Sequence, residues 1–186
     1  MGNPLARKFP TWIVVLAGLL ACAGLGLCLT GVVLFARQSL GPGAASAPAV
    51  GDKADDFTLT STQGGSISLS GFHGKPVLLH FFTTWCGPCR EEMPMIQRKF
   101  EQMQPRLVVV AVEEGDSRRE VEAYVEEMGL TFTVLLDPLT LTGNEFGINF
   151  YPTSIFIDAD GIIRSIQIGT MEPATLDDSL SLIGIQ

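Results

Sequence analysis

An apolar run of strand length, Val77 to Phe82, is broken only by His80 and leads through Thr83-Thr84-Trp85 into Cys86-Gly87-Pro88-Cys89. A helical pattern follows. This order puts Cys86 where a strand ends and a helix begins. A helix N-terminus presents unpaired N–H groups and the positive end of the helix dipole, and both favour a thiolate over a thiol. The thiolate is the attacking species in disulfide exchange. Cys86 is therefore assigned as the nucleophile. Cys89, one turn inside the helix and expected to be buried, is the resolving thiol. Opening and closing the small ring between them carries two electrons.

Three other uses of such a pair compete. Structural zinc needs four ligands, usually a second cysteine pair or histidines downstream. The only histidines, His73 and His80, precede the motif. Copper delivery would want a further soft or imidazole ligand, and only methionines are available. A purely structural disulfide would close a very small loop with modest entropic gain, and Gly-Pro between the cysteines would need another explanation. The reading adopted is a redox-active dithiol with no metal and no cofactor.

Residues 11–36 carry no charge. As a helix they would span roughly 39 Å, enough to cross a hydrocarbon core of about 30 Å with tilt. Arg7 and Lys8 precede the run and only Arg37 follows closely, so the positive-inside rule keeps the N-terminus cytoplasmic and exports the rest. An uncleaved signal-anchor is the favoured fate. A cleaved signal peptide is second: Ala45-Ser46-Ala47 resembles a cleavage site, but the run is long and Pro48 follows directly. A lipoprotein signal is third: Leu19-Leu20-Ala21-Cys22 loosely resembles a lipobox, but the chain stays apolar well past Cys22. Cys22 and Cys28 read as small apolar residues of the span. The organisation is thus a cytoplasmic N-terminus at 1–10, a transmembrane signal-anchor at 11–36, a Gly/Ala/Ser/Pro-rich linker at 37–50 and a compact domain at 51–186.

From Asp52 onward the chain holds nine basic residues against all 20 acidic ones, a formal charge of −11. That balance argues against nucleic acid or an anionic membrane surface as partner. The environment outside the membrane is oxidising, so a dithiol there needs a supply of electrons or else acts as an oxidant.

The pattern of the domain predicts a β-hairpin at the domain edge over Asp56–Thr60 and Ser66–Leu69. The strand Val77–Phe82 and a helix with Cys89, Met93, Ile96, Phe100 and Met103 on one face come next, with Pro94 expected to kink that helix. A strand at Leu107–Val112 precedes a helix opened by the capping box Ser117-x-x-Glu120 and ended by Gly129. A strand at Phe132–Leu136 and a short helix within Asp137–Phe146 come next. Strands Thr153–Asp158 and Ile162–Ile168 form a hairpin, and a last helix covers Glu172–Leu182. Strand–helix alternation implies a parallel sheet core, with the last hairpin adding antiparallel strands.

Three stretches carry a resemblance over residues 50–186: Gly51-Asp52-Lys53-Ala54-Asp55-Asp56-Phe57, then Phe82-Thr83-Thr84-Trp85-Cys86-Gly87-Pro88-Cys89-Arg90-Glu91-Glu92-Met93-Pro94, and Tyr151-Pro152-Thr153 followed by Ile157-Asp158-Ala159-Asp160-Gly161. In these the chain resembles membrane-anchored, extracytoplasmic thiol-disulfide oxidoreductases of the TlpA/ResA type. The resemblance implies an α/β thioredoxin fold with an N-terminal β-hairpin and a central insert between Glu113 and Phe150. The sheet is then mixed, flanked by helices and preceded by one transmembrane helix.

The resemblance also implies that Pro152 is cis and lies beside the cysteines, where its neighbouring backbone pairs with an extended substrate segment. The plain alternative is a turn proline, since most X-Pro bonds are trans. Trp85, Gly87, Pro88, Tyr151, Pro152 and Thr153 are the implied substrate-binding residues. Trp85 either shields the pair or is an ordinary core residue. In thioredoxin a buried carboxylate six residues before the first cysteine helps to move the resolving thiol's proton. Here that position is His80, either a catalytic proton acceptor or a satisfied core histidine; both stay open. ResA-like proteins carry an acidic residue near the loop Glu113-Glu114-Gly115-Asp116, which by its own composition reads as charged and solvated.

Implied partners are disulfides of exported proteins, apocytochrome c among the family's targets, with a membrane thiol carrier as electron donor. The Gly-Pro dipeptide matches thioredoxin rather than ResA, which carries Glu-Pro. Two alternatives remain: an oxidant that forms disulfides, and a tethered, non-catalytic assembly module.

Overall fold

The computed structural model describes residues 47–186. The expectations for the apolar run 11–36, for Cys22 and Cys28, and for the linker up to Ser46 lie outside these residues. Among the described residues no helix is long and apolar enough to cross a membrane.

Among the described residues seven strands form one sheet in the order β2-β1-β5-β4-β3-β6-β7. They are β1 (Thr58–Ser61), β2 (Ser66–Ser68), β3 (Val77–Phe82), β4 (Val108–Glu114), β5 (Thr133–Asp137), β6 (Thr153–Ile157) and β7 (Ile163–Ile168). The α-helices of the described residues are α1 (Gly87–Met103), α2 (Arg118–Met128), α3 (Leu141–Glu145) and α4 (Pro173–Leu182). β3, β4 and β5 are parallel, joined through α1 and α2, while β6 pairs antiparallel with β3 and β7 antiparallel with β6. The β1–β2 hairpin sits at one edge and pairs antiparallel with β5. This is the mixed, helix-flanked thioredoxin sheet.

The central strands are apolar throughout because both faces are covered. On one face Leu78, Phe82, Val109 and Ala111 pack with Cys89, Met93 and Ile96 of α1, Val121 and Tyr124 of α2, and Leu176 and Leu180 of α4. On the other, Leu79, Phe81, Val110 and Val112 meet Phe57, Leu69 and Phe146. Alternation along β3 and β4 therefore decides which core each side chain enters.

Several boundaries differ from the sequence expectations. β1 starts at Thr58 rather than Asp56, because the Asp56 carboxylate is turned aside to accept the Ser70 N–H at 2.8 Å. β4 runs on through Glu113 and Glu114, which pair with Leu136 and Asp137 of β5. Its polar end hid that extension in the sequence. α1 continues past Pro94 to Met103, and Phe100 and Met103 are only partly buried. α2 has its capping box, with the Ser117 N–H donating to Glu120 Oε2 at 2.9 Å, and it stops at Gly129 in the left-handed region.

Candidate active site

β3 delivers the chain to the cysteines at the C-terminal end of the sheet. Cys86 is the N-cap of α1, with extended backbone, and Pro88 occupies the first turn. Proline suits that position because its missing N–H has no partner there. Cys86 and Cys89 form a disulfide with Cα atoms 5.3 Å apart. The Cys89 N–H points at Cys86 Sγ, 3.2 Å away. An orphan donor of the first helical turn is thus aimed at the sulfur that would carry charge after reduction. Cys89 is fully buried and Cys86 is 6% exposed, while Gly87 and Pro88 lie open beside it.

The Tyr151–Pro152 bond is cis. Pro152 is buried, its carbonyl accepts the Gly169 N–H at 2.8 Å, and Thr153 Oγ1 donates to the Phe150 carbonyl at 2.8 Å. Trp85 is no core residue: it is 71% exposed, and its ring meets Tyr151 edge-on with centroids 6.4 Å apart. Through this contact the loop before β6 adjoins the loop that carries the cysteines.

His80 lies on the same sheet face as Cys89 and is fully buried. Its Nδ1 is 2.8 Å from Ser154 Oγ, and Nε2 has no hydrogen-bond partner. Burial drops its pKa to about 3. The imidazole is therefore held neutral and is a weak proton acceptor near neutral pH.

Two of the three acids read from the sequence as a solvated loop, Glu113 and Glu114, are not solvated; Asp116 is half-buried. Glu113 is fully buried and Glu114 nearly so, because they are the last residues of an inner strand and face opposite cores. Burial, with the Asp116 side chain adding to it, pushes Glu113 up to about 9. The Asp116 N–H donates to Glu113 Oε1 at 3.2 Å. Asp116 Oδ2 in turn accepts the Thr84 N–H at 3.0 Å and the Thr84 hydroxyl at 2.6 Å. Burial works against the Asp116 charge, but the adjoining Glu113 side chain and the Thr84 hydrogen bonds outweigh it and hold the carboxyl below its usual range. The network braces the turn just before Trp85 and Cys86.

Glu114 accepts the Tyr151 hydroxyl on Oε2 at 2.8 Å. Burial pushes its pKa up to about 7 despite that bond, and neighbouring Asp137 adds to the rise.

Glu92 is a further buried acid and was not foreseen as a site residue. It is 3% exposed, and neither oxygen has a hydrogen-bond partner. Burial pushes it up to about 7, only partly offset by the nearby Met171 backbone. A signal for it does exist. Residues 89, 92, 93, 96 and 97 follow the i, i+3, i+4, i+7 spacing of one buried helix face.

Among the described residues no three His, Cys, Asp or Glu side chains group as a metal site. The arrangement suits thiol chemistry: a sulfur at a helix N-terminus, a buried second sulfur, and buried carboxyls able to hold a proton near neutral pH.

Residues 50–166 match the AhpC/TSA family. The chain is 36% identical over 135 residues to the thioredoxin-like protein YneN of Bacillus subtilis, covering 71% of this chain and 79% of YneN. It is 35% identical over 139 residues to the thiol-disulfide oxidoreductase ResA of Geobacillus thermodenitrificans, covering 74% and 80%. A crystal structure from Chlorobium tepidum, assigned as thiol:disulfide interchange protein DsbE, superposes with a TM-score of 0.67 at 31% identity, covering 75% of this chain and all of that one. With its thioredoxin fold and these ResA- and YneN-type relatives, the chain belongs to the AhpC/TSA family.

Proposed function

We propose that this chain is an extracytoplasmic thiol-disulfide oxidoreductase that reduces disulfides of exported proteins through Cys86 and Cys89. The observation that carries the reading is the 3.2 Å approach of the Cys89 N–H to Cys86 Sγ at the start of α1. A donor fixed on that sulfur favours the thiolate, as does the helix dipole.

In the cycle, the Cys86 thiolate attacks one sulfur of a substrate disulfide lying along the Pro152 loop. The substrate S–S bond breaks, its first thiolate leaves and takes a proton from water, and a mixed disulfide forms. Cys89 loses its proton and attacks Cys86 Sγ. The second substrate thiolate leaves, the Cys86–Cys89 bond forms, and two electrons have passed to substrate. Glu92 is one helical turn beyond Cys89 on the same face. Its carboxyl, poised near 7, suits it to take the Cys89 proton. His80, held neutral and bonded to Ser154, fits a core residue that shapes this floor better than a proton acceptor.

Trp85, Gly87, Pro88, Tyr151, Pro152 and Thr153 form the docking surface in this reading. Residues 11–36 anchor the domain in a membrane, and a membrane thiol carrier restores the dithiol. Apocytochrome c is the finer choice of substrate, on the resemblance to ResA-type proteins. Gly-Pro between the cysteines matches the reducing end of the thioredoxin range, which favours a reductant over an oxidant.

Trapping tests the reading. Cys89→Ser should accumulate mixed disulfides through Cys86, and Cys86→Ser should accumulate none. If Cys86→Ser leaves function intact, the cysteines serve only a non-catalytic assembly module.

A further inference from the structure

We propose that Glu114 is a positioning residue: by accepting the Tyr151 hydroxyl it holds the Tyr151 ring in place on the docking surface beside the cysteines and sets how tightly a protein disulfide docks. This rests on the disulfide-reductase reading above and adds a residue that touches neither the cysteines nor the substrate.

Three observations converge on it. First, Tyr151 is held at both ends. Its ring meets Trp85, next to Cys86, and its hydroxyl donates to Glu114 Oε2 at 2.8 Å. It packs against both hydrophobic cores, so it lies across the end of the sheet just before Pro152. Second, the seat of Glu114 is built for a carboxyl. A Cβ on Gly143 would overlap the Glu114 carboxylate, so glycine at 143 leaves the carboxylate its present place. Asp137, paired with Glu114 across β4 and β5, fixes that segment by accepting the N–H groups of Leu141, Thr142 and Gly143. Third, Glu114 is costly where it stands. It is 4% exposed, and Oε1 has no hydrogen-bond partner. An apolar side chain would fill an inner strand position at less cost. What an apolar residue could not do is fix the direction of a phenol hydroxyl, and with it the ring.

The test uses steady-state reduction of insulin, a protein disulfide, and of 5,5′-dithiobis(2-nitrobenzoate), a small one that needs no docking surface, with dithiothreitol restoring the dithiol. Glu114→Ala should raise KM for insulin roughly five- to tenfold, the size of one net hydrogen bond. Its kcat for insulin and its KM for the small disulfide should hold. Tyr151→Phe, which keeps the ring and so the fold, should raise the insulin KM similarly, and the double variant should be no worse than either single one. Glu114→Gln should restore the wild-type KM, because its amide oxygen still accepts the hydroxyl and its NH2 can face Asp137. An unchanged insulin KM in Glu114→Ala, or equal losses on both substrates, overturns the inference alone. A wild-type protein that turns over neither substrate overturns the reductase reading, and the inference falls with it.

Discussion

Across the β3–β6 pair, His80 Nδ1 lies 2.8 Å from the Ser154 hydroxyl, and the two residues are direct partners in the register. The bond fixes the imidazole on the sheet face that Cys89 also packs against, while Nε2 stays buried without a partner. Removing the hydroxyl would leave Nδ1 unsatisfied as well. Ser154→Ala should therefore cost about 1–3 kcal/mol, read as a lower urea midpoint. The pH dependence of turnover near neutrality should stay the same, since a group with a pKa of about 3 does not titrate there.

Glu92 should move that pH dependence instead. Its pKa of about 7 puts its titration in the working range. Glu92→Gln removes the proton acceptor without changing the shape of the side chain. Resolution of the mixed disulfide, followed by stopped flow, should slow by roughly 10²-fold, the scale of general base catalysis, and lose its inflection near pH 7. If His80→Asn removes that inflection and Glu92→Gln does not, the roles are reversed.

Glu113 makes stability fall with rising pH. Its folded pKa is pushed up to about 9, mainly by burial, while an unfolded carboxyl ionises near 4.5. Between these values the folded state binds the extra proton, so stability drops as pH rises through the window. Glu92 and Glu114 share the sign but sit near 7, which leaves pH 7–9 mostly to Glu113. Urea unfolding across that range should show a negative slope of at most about 1.4 kcal/mol per pH unit. Glu113→Gln should flatten it and be the more stable protein at pH 9. An unaltered slope in the variant would mean that Glu113 ionises normally.

Gly143→Ala should destabilise by about 1–3 kcal/mol, the range for overpacking a filled core, because the new methyl overlaps the Glu114 carboxylate. In a Glu114→Ala background the same change should cost little, since the clash is gone and alanine favours a helix. Equal costs in both backgrounds would place the strain elsewhere.

Much of this was legible in the sequence where one residue type has one physical use. The apolar run Val77–Phe82 could only be an inner strand, Ser117 with Glu120 could only open a helix, and Cys86 fell at a helix start. The buried acids were harder. Glu113 and Glu114 look like the start of a loop, and nothing local shows that β4 continues through them between β3 and β5. The 2.8 Å bond from Tyr151 to Glu114 joins residues far apart in sequence, so only the fold reveals it. For Trp85 the sequence left shielding of the pair and an ordinary core place side by side, and only the fold drops the core place. Its ring stands exposed against Tyr151, a partner far along the chain that no local pattern points to.

The reduction potential of the Cys86–Cys89 couple tests the central claim most directly. The protein would be equilibrated against dithiothreitol and glutathione buffers and the fraction of free thiol titrated. A protein-disulfide reductase should lie below roughly −230 mV, toward the value of thioredoxin. A potential near about −120 mV, that of a strong disulfide-forming oxidant, would contradict the account.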